Sequence, residues 1–234
     1  FWASILGAVV PLIGSRSGAL TPASPSAALP PSMAEGSAGA GREGKRRRAG
    51  EADGGAGSAR EEVLVVATGG TIDKAYPRTT GGWAFEIGEP AAPRILERVT
   101  PAGFSYSVTS ACAKDSQEIT DTDRESILDC CAKASASRVV VTHGTDTLVE
   151  TASYLGRRHA ELMPEKVVCI TGAMRPERFV DSDAHFNMGV CFGALALAPP
   201  GVYVCMNGAV HPWAGAGRDL ETGLFTGSAG AAAR

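Results

Sequence analysis

The chain has 234 residues, a formal net charge of −3 and 20% charged residues. That length fits one domain with extensions or at most two small domains, and 44% hydrophobic residues is the proportion of an ordinary globular protein. The mild negative charge gives no electrostatic basis for binding nucleic acid or a membrane surface.

The first 14 residues, FWASILGAVVPLIG, are apolar. They are too few to span a bilayer but match the hydrophobic part of a signal peptide. Residues 15–32 are rich in Ser, Ala and Pro and contain no acid, as transit peptides do. A signal followed by a transit segment implies delivery to an organelle such as a plastid. Alternatively, Met33 is the start and the preceding residues are untranslated sequence. Both readings stand on the sequence, and both give an intracellular location, cytoplasmic or organellar. Residues 1–60 as a whole lack apolar periodicity, so they are expected to form a disordered N-terminal extension. Within it the basic run Lys45–Arg48 fits a nuclear signal or a solvated linker.

A folded domain is expected over residues 61–228, followed by a frayed tail at 229–234, with the apolar pattern giving way to Gly and Ala after Leu224. Short β-branched runs at Val63–Ala67, Ser105–Ala111, Val139–Thr142, Val167–Thr171 and Val202–Met206 predict strands buried on both faces. Helical patterns separate most of them. Thr120 to Asp123 has the form of a capping box, with Ile127, Leu128 and Cys131 as the apolar face behind it. Leu148, Ala152 and Leu155 repeat with helical spacing after Asp146. Phe186, Val190, Gly193, Ala194 and Leu197 do so after Asp183. Strand alternating with helix predicts a three-layer α/β domain: a doubly wound, mostly parallel sheet of flavodoxin-like or Rossmann-like architecture. The cysteines at 112, 130, 131, 169, 191 and 205 have no CxxC spacing. Most lie in apolar runs and are expected as reduced, buried small hydrophobes, which suits a reducing compartment.

Ligands of open parallel sheets bind beyond the carboxyl ends of the strands. The segments placed there are Thr68-Gly69-Gly70-Thr71, Lys114-Asp115-Ser116-Gln117, His143-Gly144-Thr145-Asp146-Thr147, Gly172 to Pro176, and Asn207-Gly208. Glycines allow backbone N–H groups to approach a ligand oxygen, as in an oxyanion site. A threonine hydroxyl among them is a candidate nucleophile once something takes its proton. His143 is one candidate for that task; Thr145, Lys166 and Asp146, as hydroxyl, amine and carboxylate, form another. Each has a plainer role as well: a turn for the glycines, a core histidine for His143, a helix cap for Asp146 and a solvated lysine for Lys166. The other histidines are scattered without HxxxH or HExxH spacing, so no metal is expected. Neither GxGxxG nor GxxxxGK[ST] is present, and no nucleotide cofactor is expected. The stretch Asp73 to Gly82, with Pro77, Gly81 and Gly82, has the composition of a flexible lid.

The segments "ATGGTI", "HGTDT" and "ITGAMRP", in that order, resemble the signature segments of the bacterial-type L-asparaginase/glutaminase amidohydrolases. The likeness runs from about Val63 to Phe225 and is nearest to short, single-domain members. It implies hydrolysis of a side-chain amide, asparagine or glutamine, through a threonine acyl-enzyme and without cofactor. By this resemblance Thr71 is the nucleophile, Thr145 the second catalytic threonine, and Asp146 and Lys166 its partners. Tyr76 is the lid tyrosine. Gly70, Ser116, Gln117, Thr145 and Asp146 contact the substrate, with Ser116 and Gln117 on its α-carboxylate and Asp146 on its α-amino group. Two-domain members complete the site from a smaller C-terminal domain, often of a neighbouring subunit, and a homo-oligomer is the implied assembly. Two rival functions remain: a non-catalytic small-molecule binding module, and the ammonia-generating part of an amidotransferase.

Overall fold

The computed structural model describes residues 61–77 and 84–227. The expected N-terminal extension, its basic run and the tail at 229–234 lie outside the described residues, as do residues 78–82 of the expected lid.

Five parallel strands make the centre of the sheet. They are β1 (Glu61–Gly69), β4 (Phe104–Lys114), β5 (Arg138–Thr142), β6 (Val167–Thr171) and β7 (Gly201–Met206), with the short strands β2 (Lys74–Ala75) and β3 (Glu86–Ile87) forming a separate antiparallel ribbon. The sheet order is β4-β1-β5-β6-β7, and β8 (Ala209–Pro212) adds antiparallel at the β7 edge. Taken in sequence order, the parallel strands run 2-1-3-4-5, the flavodoxin-like order. That order places the topological switch point between β1 and β5. A second ribbon, β9 (Ala216–Arg218) and β10 (Phe225–Gly227), follows β8. The chain therefore keeps regular structure past Leu224, because Phe225 is buried.

The alternation of strand side chains sorts the core into two layers. Val63, Val65, Val140 and Cys169 face α1 (Ala92–Leu96) and α4 (Ala184–Leu197). Val66, Val139, Val141, Val168 and Ile170 face α2 (Asp121–Lys133) and α3 (Leu148–Leu162). Both faces of the sheet are thus covered over β1, β5, β6 and β7, which is why those strands read as near-continuous apolar runs. β4, at the sheet edge, mixes half-buried and exposed residues, which corrects the expectation of a strand buried on both faces at Ser105–Ala111. The capping box forms as expected: the Thr120 hydroxyl accepts from the Asp123 N–H, and the Asp123 carboxylate accepts from the Thr120 N–H. Ile127, Leu128 and Cys131 are buried behind it. Burying Ile127 and Leu128 stabilises the fold by about 1.5–3 kcal/mol each.

The face of α4 differs from the expectation. Ala184, Met188, Cys191, Ala194 and Leu195 turn inward, while Phe186 and Leu197 are exposed. Nearly every position of this helix is apolar, so periodicity alone could not choose the inward side. All six cysteines are free; Cys131, Cys169, Cys191 and Cys205 are buried, and Cys112 and Cys130 are half-buried. Among the described residues, no helix is long and apolar enough to cross a membrane, and no group of three or more His, Cys, Asp and Glu could hold a metal ion.

Candidate active site

The turns that leave β1, β4 and β5 meet at the switch point. Gly70 sits at φ 78° and ψ −173°, a conformation almost confined to glycine, and begins the single turn Thr71–Asp73. A Cβ on Gly70 would stand 2.3 Å from the Gly144 nitrogen, so the two turns touch backbone to backbone. A Cβ on Gly144 would stand 2.6 Å from the Ser116 Cβ, which brings the turn after β4 into the same contact. The Gly70 N–H donates to the Lys114 carbonyl at 2.9 Å. Of the glycine N–H groups expected to approach a ligand oxygen, that of Gly70 is therefore taken up within the fold. The glycines remove side-chain bulk so that three turns can converge.

Thr71 is half-buried and Thr145 is buried at 7% exposure, both on these converging turns. The Ser116 hydroxyl is buried and accepts the Asp146 N–H at 3.3 Å. The Thr147 hydroxyl donates to the Ser116 carbonyl at 2.6 Å. Ser116 thus holds the Thr145–Asp146 turn in place rather than standing open to a ligand. Gln117 is exposed, and its amide donates to Asp146 Oδ2 at 2.8 Å. Asp146 does not cap α3. Thr147 holds the cap position, and no side chain bonds to the helix terminus there.

His143 takes the plainer of its two roles. It is fully buried; Nδ1 lies 2.8 Å from the Gly144 carbonyl and Nε2 lies 2.9 Å from the Thr151 hydroxyl. Burial pushes its pKa down to about 4, so it is neutral at pH 7 and braces the turn from beneath. Asp73, two residues after Thr71, is also buried and accepts the Ala91 N–H at 2.7 Å. Burial raises its carboxyl to about 6, against the lowering effect of that hydrogen bond and of Arg94.

Lys166 is not brought to this site. It precedes β6, at the amino end of a five-residue strand. At the usual rise per residue that is roughly 16 Å from the edge where the turns converge. Its Nζ donates to the carbonyls of Ala134 and Ala136, at 2.6 and 2.7 Å, closing the loop between α2 and β5. The cation that meets Asp146 is Arg218, whose Nη1 donates to Oδ1 at 2.7 Å. Arg218 and Gln117, in that order, hold the Asp146 carboxyl below the usual carboxylate range. Arg218 arrives on β9 because Trp213 packs on α3 at Gly156, where a Cβ would stand 2.2 Å from the indole. The residue was missed in the sequence because it lies in a Gly- and Ala-rich stretch, 72 residues from its partner, with no spacing to mark it.

Tyr76 directly follows β2, in the connection between the two strands of the ribbon, half exposed, with its ring 5.0 Å from that of Phe85. Phe85 in turn lies 6.0 Å from Phe179, in the segment after β6. A cavity of about 500 Å³ opens beside Phe179 and is lined by Arg94, Arg98, Glu177 and His185; Thr71, Thr145 and Asp146 do not line it.

A family model described as asparaginase, N-terminal, matches residues 62–218. The chain belongs to the asparaginase N-terminal family. It is 30% identical over 177 residues to the glutaminase-asparaginase of Acinetobacter glutaminasificans, which covers 70% of this chain and 50% of that relative. It is 32% identical over 149 residues to a glutamyl-tRNA(Gln) amidotransferase subunit of Aeropyrum pernix, covering 60% of this chain and 33% of the relative. L-asparaginase I from Vibrio cholerae has the same fold, with a TM-score of 0.62 at 22% identity, over 72% of this chain and 52% of that structure. The chain spans half or less of the length of these curated relatives.

Proposed function

We propose that residues 61–228 form an amide-hydrolysing domain that releases ammonia from the side-chain amide of L-asparagine or L-glutamine through an ester on Thr71. The observation that supports this most is the Gly70–Gly144 contact, which draws Thr71 and the Thr145–Asp146 pair onto one edge of the sheet. In this reading the Thr71 hydroxyl oxygen bonds to the amide carbon and the C–N bond breaks. The hydroxyl proton ends on the departing nitrogen, which leaves as ammonia. Water then opens the ester and returns a proton to Thr71.

Gly70 sets the direction of the Thr71 turn. Thr145 polarises the reacting group from the facing turn, and Tyr76 covers it from the ribbon side. Asp146, kept ionised, receives the α-ammonium group of the substrate. Gln117 orients both Asp146 and the α-carboxylate, and Ser116 supports the turn from below. Lys166 has a structural role only. No step in this scheme requires a cofactor.

A second reading, the ammonia-generating part of an amidotransferase, draws on the likeness to the Aeropyrum protein. The experiment is ammonia release by the full chain from L-asparagine, L-glutamine and other small amides, with and without proteins that co-purify. Release by the purified chain alone supports free hydrolysis; release only with a co-purifying partner supports the second reading. Binding without release in either setting leaves a binding module.

A further inference from the structure

The cavity beside Phe179 is separate from the edge that carries Thr71 and Thr145, and its polar walls are cationic. Among the described residues they are Arg94, Arg98, Arg178, His185 and a single carboxylate, Glu177. The Glu177 side chain is 2% exposed. Its Oε2 accepts from Arg94 Nε at 2.7 Å and its Oε1 from Arg98 Nη2 at 3.4 Å. The Glu177 N–H donates to the Ile72 carbonyl at 3.2 Å, which fixes this segment against the turn Thr71–Asp73. A carboxylate so enclosed does not meet a ligand; it holds two guanidinium groups in place. Arg98 Nη1 lies 2.7 Å from His185 Nε2. A guanidinium only donates, so Nε2 accepts and the ring carries its proton on Nδ1. Asp73 acts on Arg94 through space but does not line the cavity.

Two cations are left for a ligand. Arg98 is 64% exposed and keeps N–H donors beyond those it commits to Glu177 and His185. Arg178 is exposed and, among the described residues, makes no hydrogen bond or ion pair. A guanidinium binds a carboxylate or phosphate group through two parallel N–H···O bonds, which a lysine cannot do. Phe179 and Val180 add an apolar wall, and about 500 Å³ is the size of a small-molecule site. On an open surface such charges are screened one by one. Within the walls of a cavity they act together on one occupant. We infer that this cavity is a second ligand site, for a small dianion that is either a short dicarboxylate or a phosphate-bearing molecule. Arg98 and Arg178 bind its two negative charges, and Glu177 is the positioning residue that fixes Arg98. The inference does not depend on the amide-hydrolase reading above.

The test is titration of the full chain with succinate, inorganic phosphate and acetate at constant ionic strength, following the ring signals of His185 by NMR. Wild type is compared with Arg178→Gln and Arg98→Gln. Arg178 has no partner to lose, so Arg178→Gln should melt at the wild-type temperature and report binding alone. Succinate or phosphate should shift the His185 signals saturably, and the tighter of the two identifies the source of the dianion. Acetate, with one negative charge, should bind at least about tenfold more weakly. The better dianion should lose at least about tenfold in each variant, the effect of removing one charge-assisted contact. The inference is overturned if neither dianion gives a saturable shift, if acetate binds as tightly as the dianions, or if Arg178→Gln binds them as wild type does.

Discussion

Gly70 and Gly144 touch across the gap between β1 and β5, so closely that a Cβ on the first would stand 2.3 Å from the nitrogen of the second. This contact brings the turns that carry Thr71 and Thr145 together, and it exists only because Gly70 carries no side chain. Gly70→Ala meets two penalties. The backbone conformation costs of order 1–3 kcal/mol for a residue with a Cβ. The methyl group also collides with main chain, which has nowhere flexible to retreat. Chemical denaturation should show a loss above about 2 kcal/mol, the lower part of that strain plus the clash. A Gly70→Ala protein as stable as wild type would mean that the turns are not in contact.

Lys166→Met separates the structural from the functional account of that lysine. The substitution removes two charge-assisted hydrogen bonds to the Ala134 and Ala136 carbonyls. Stability should fall by about 1–3 kcal/mol, the cost of leaving such acceptors unpaired. Ammonia release per folded molecule should be unchanged. A large fall in kcat with normal stability would return Lys166 to the chemistry.

Two buried groups give stability opposite dependences on pH. His143 has its folded pKa lowered to about 4. Its unfolded form takes up a proton more readily, so its contribution is complete above about 6.5 and is lost as pH falls toward 4. Asp73 has its folded pKa raised to about 6. Its contribution is complete below about 3.8 and is lost as pH rises toward 6. Each is worth about 3 kcal/mol across its window, so the two nearly cancel in wild type. Asp73→Asn removes only the second. Urea unfolding of that variant should weaken by about 3 kcal/mol between pH 6.5 and pH 4, while wild type changes little. Parallel pH profiles for the two proteins would contradict the assignment.

Strands β1, β5, β6 and β7 were legible because they are buried on both faces and therefore built of near-continuous β-branched runs; β4, at the edge, is half-buried or exposed throughout. The start of α2 was legible because a capping box is a local signal, complete within Thr120 to Asp123. The face of α4 was not, since apolar residues surround it and only the sheet decides which side is covered. The candidate site was legible in part. Thr71, Thr145, Asp146 and Gln117 sit on strand-end turns, and local sequence places those turns. Arg218 was hidden because β9 is three residues of Ala, Gly and Arg, positioned by the contact of Trp213 with Gly156 and not by any pattern of its own. Lys166 shows the converse error: a lysine preceding a strand stands at the wrong end of a parallel sheet to serve residues that follow one.

The central claim is that Thr71 forms an ester with the acyl part of an amide. The most direct measurement is mass spectrometry of the full chain, quenched in acid during turnover of L-asparagine or L-glutamine and digested, with Thr71→Ala as the control. An acyl adduct is predicted on the peptide containing Thr71, absent from the variant, which should keep its fold and lose turnover. An adduct on the peptide containing Thr145, or unimpaired turnover by Thr71→Ala, would contradict it.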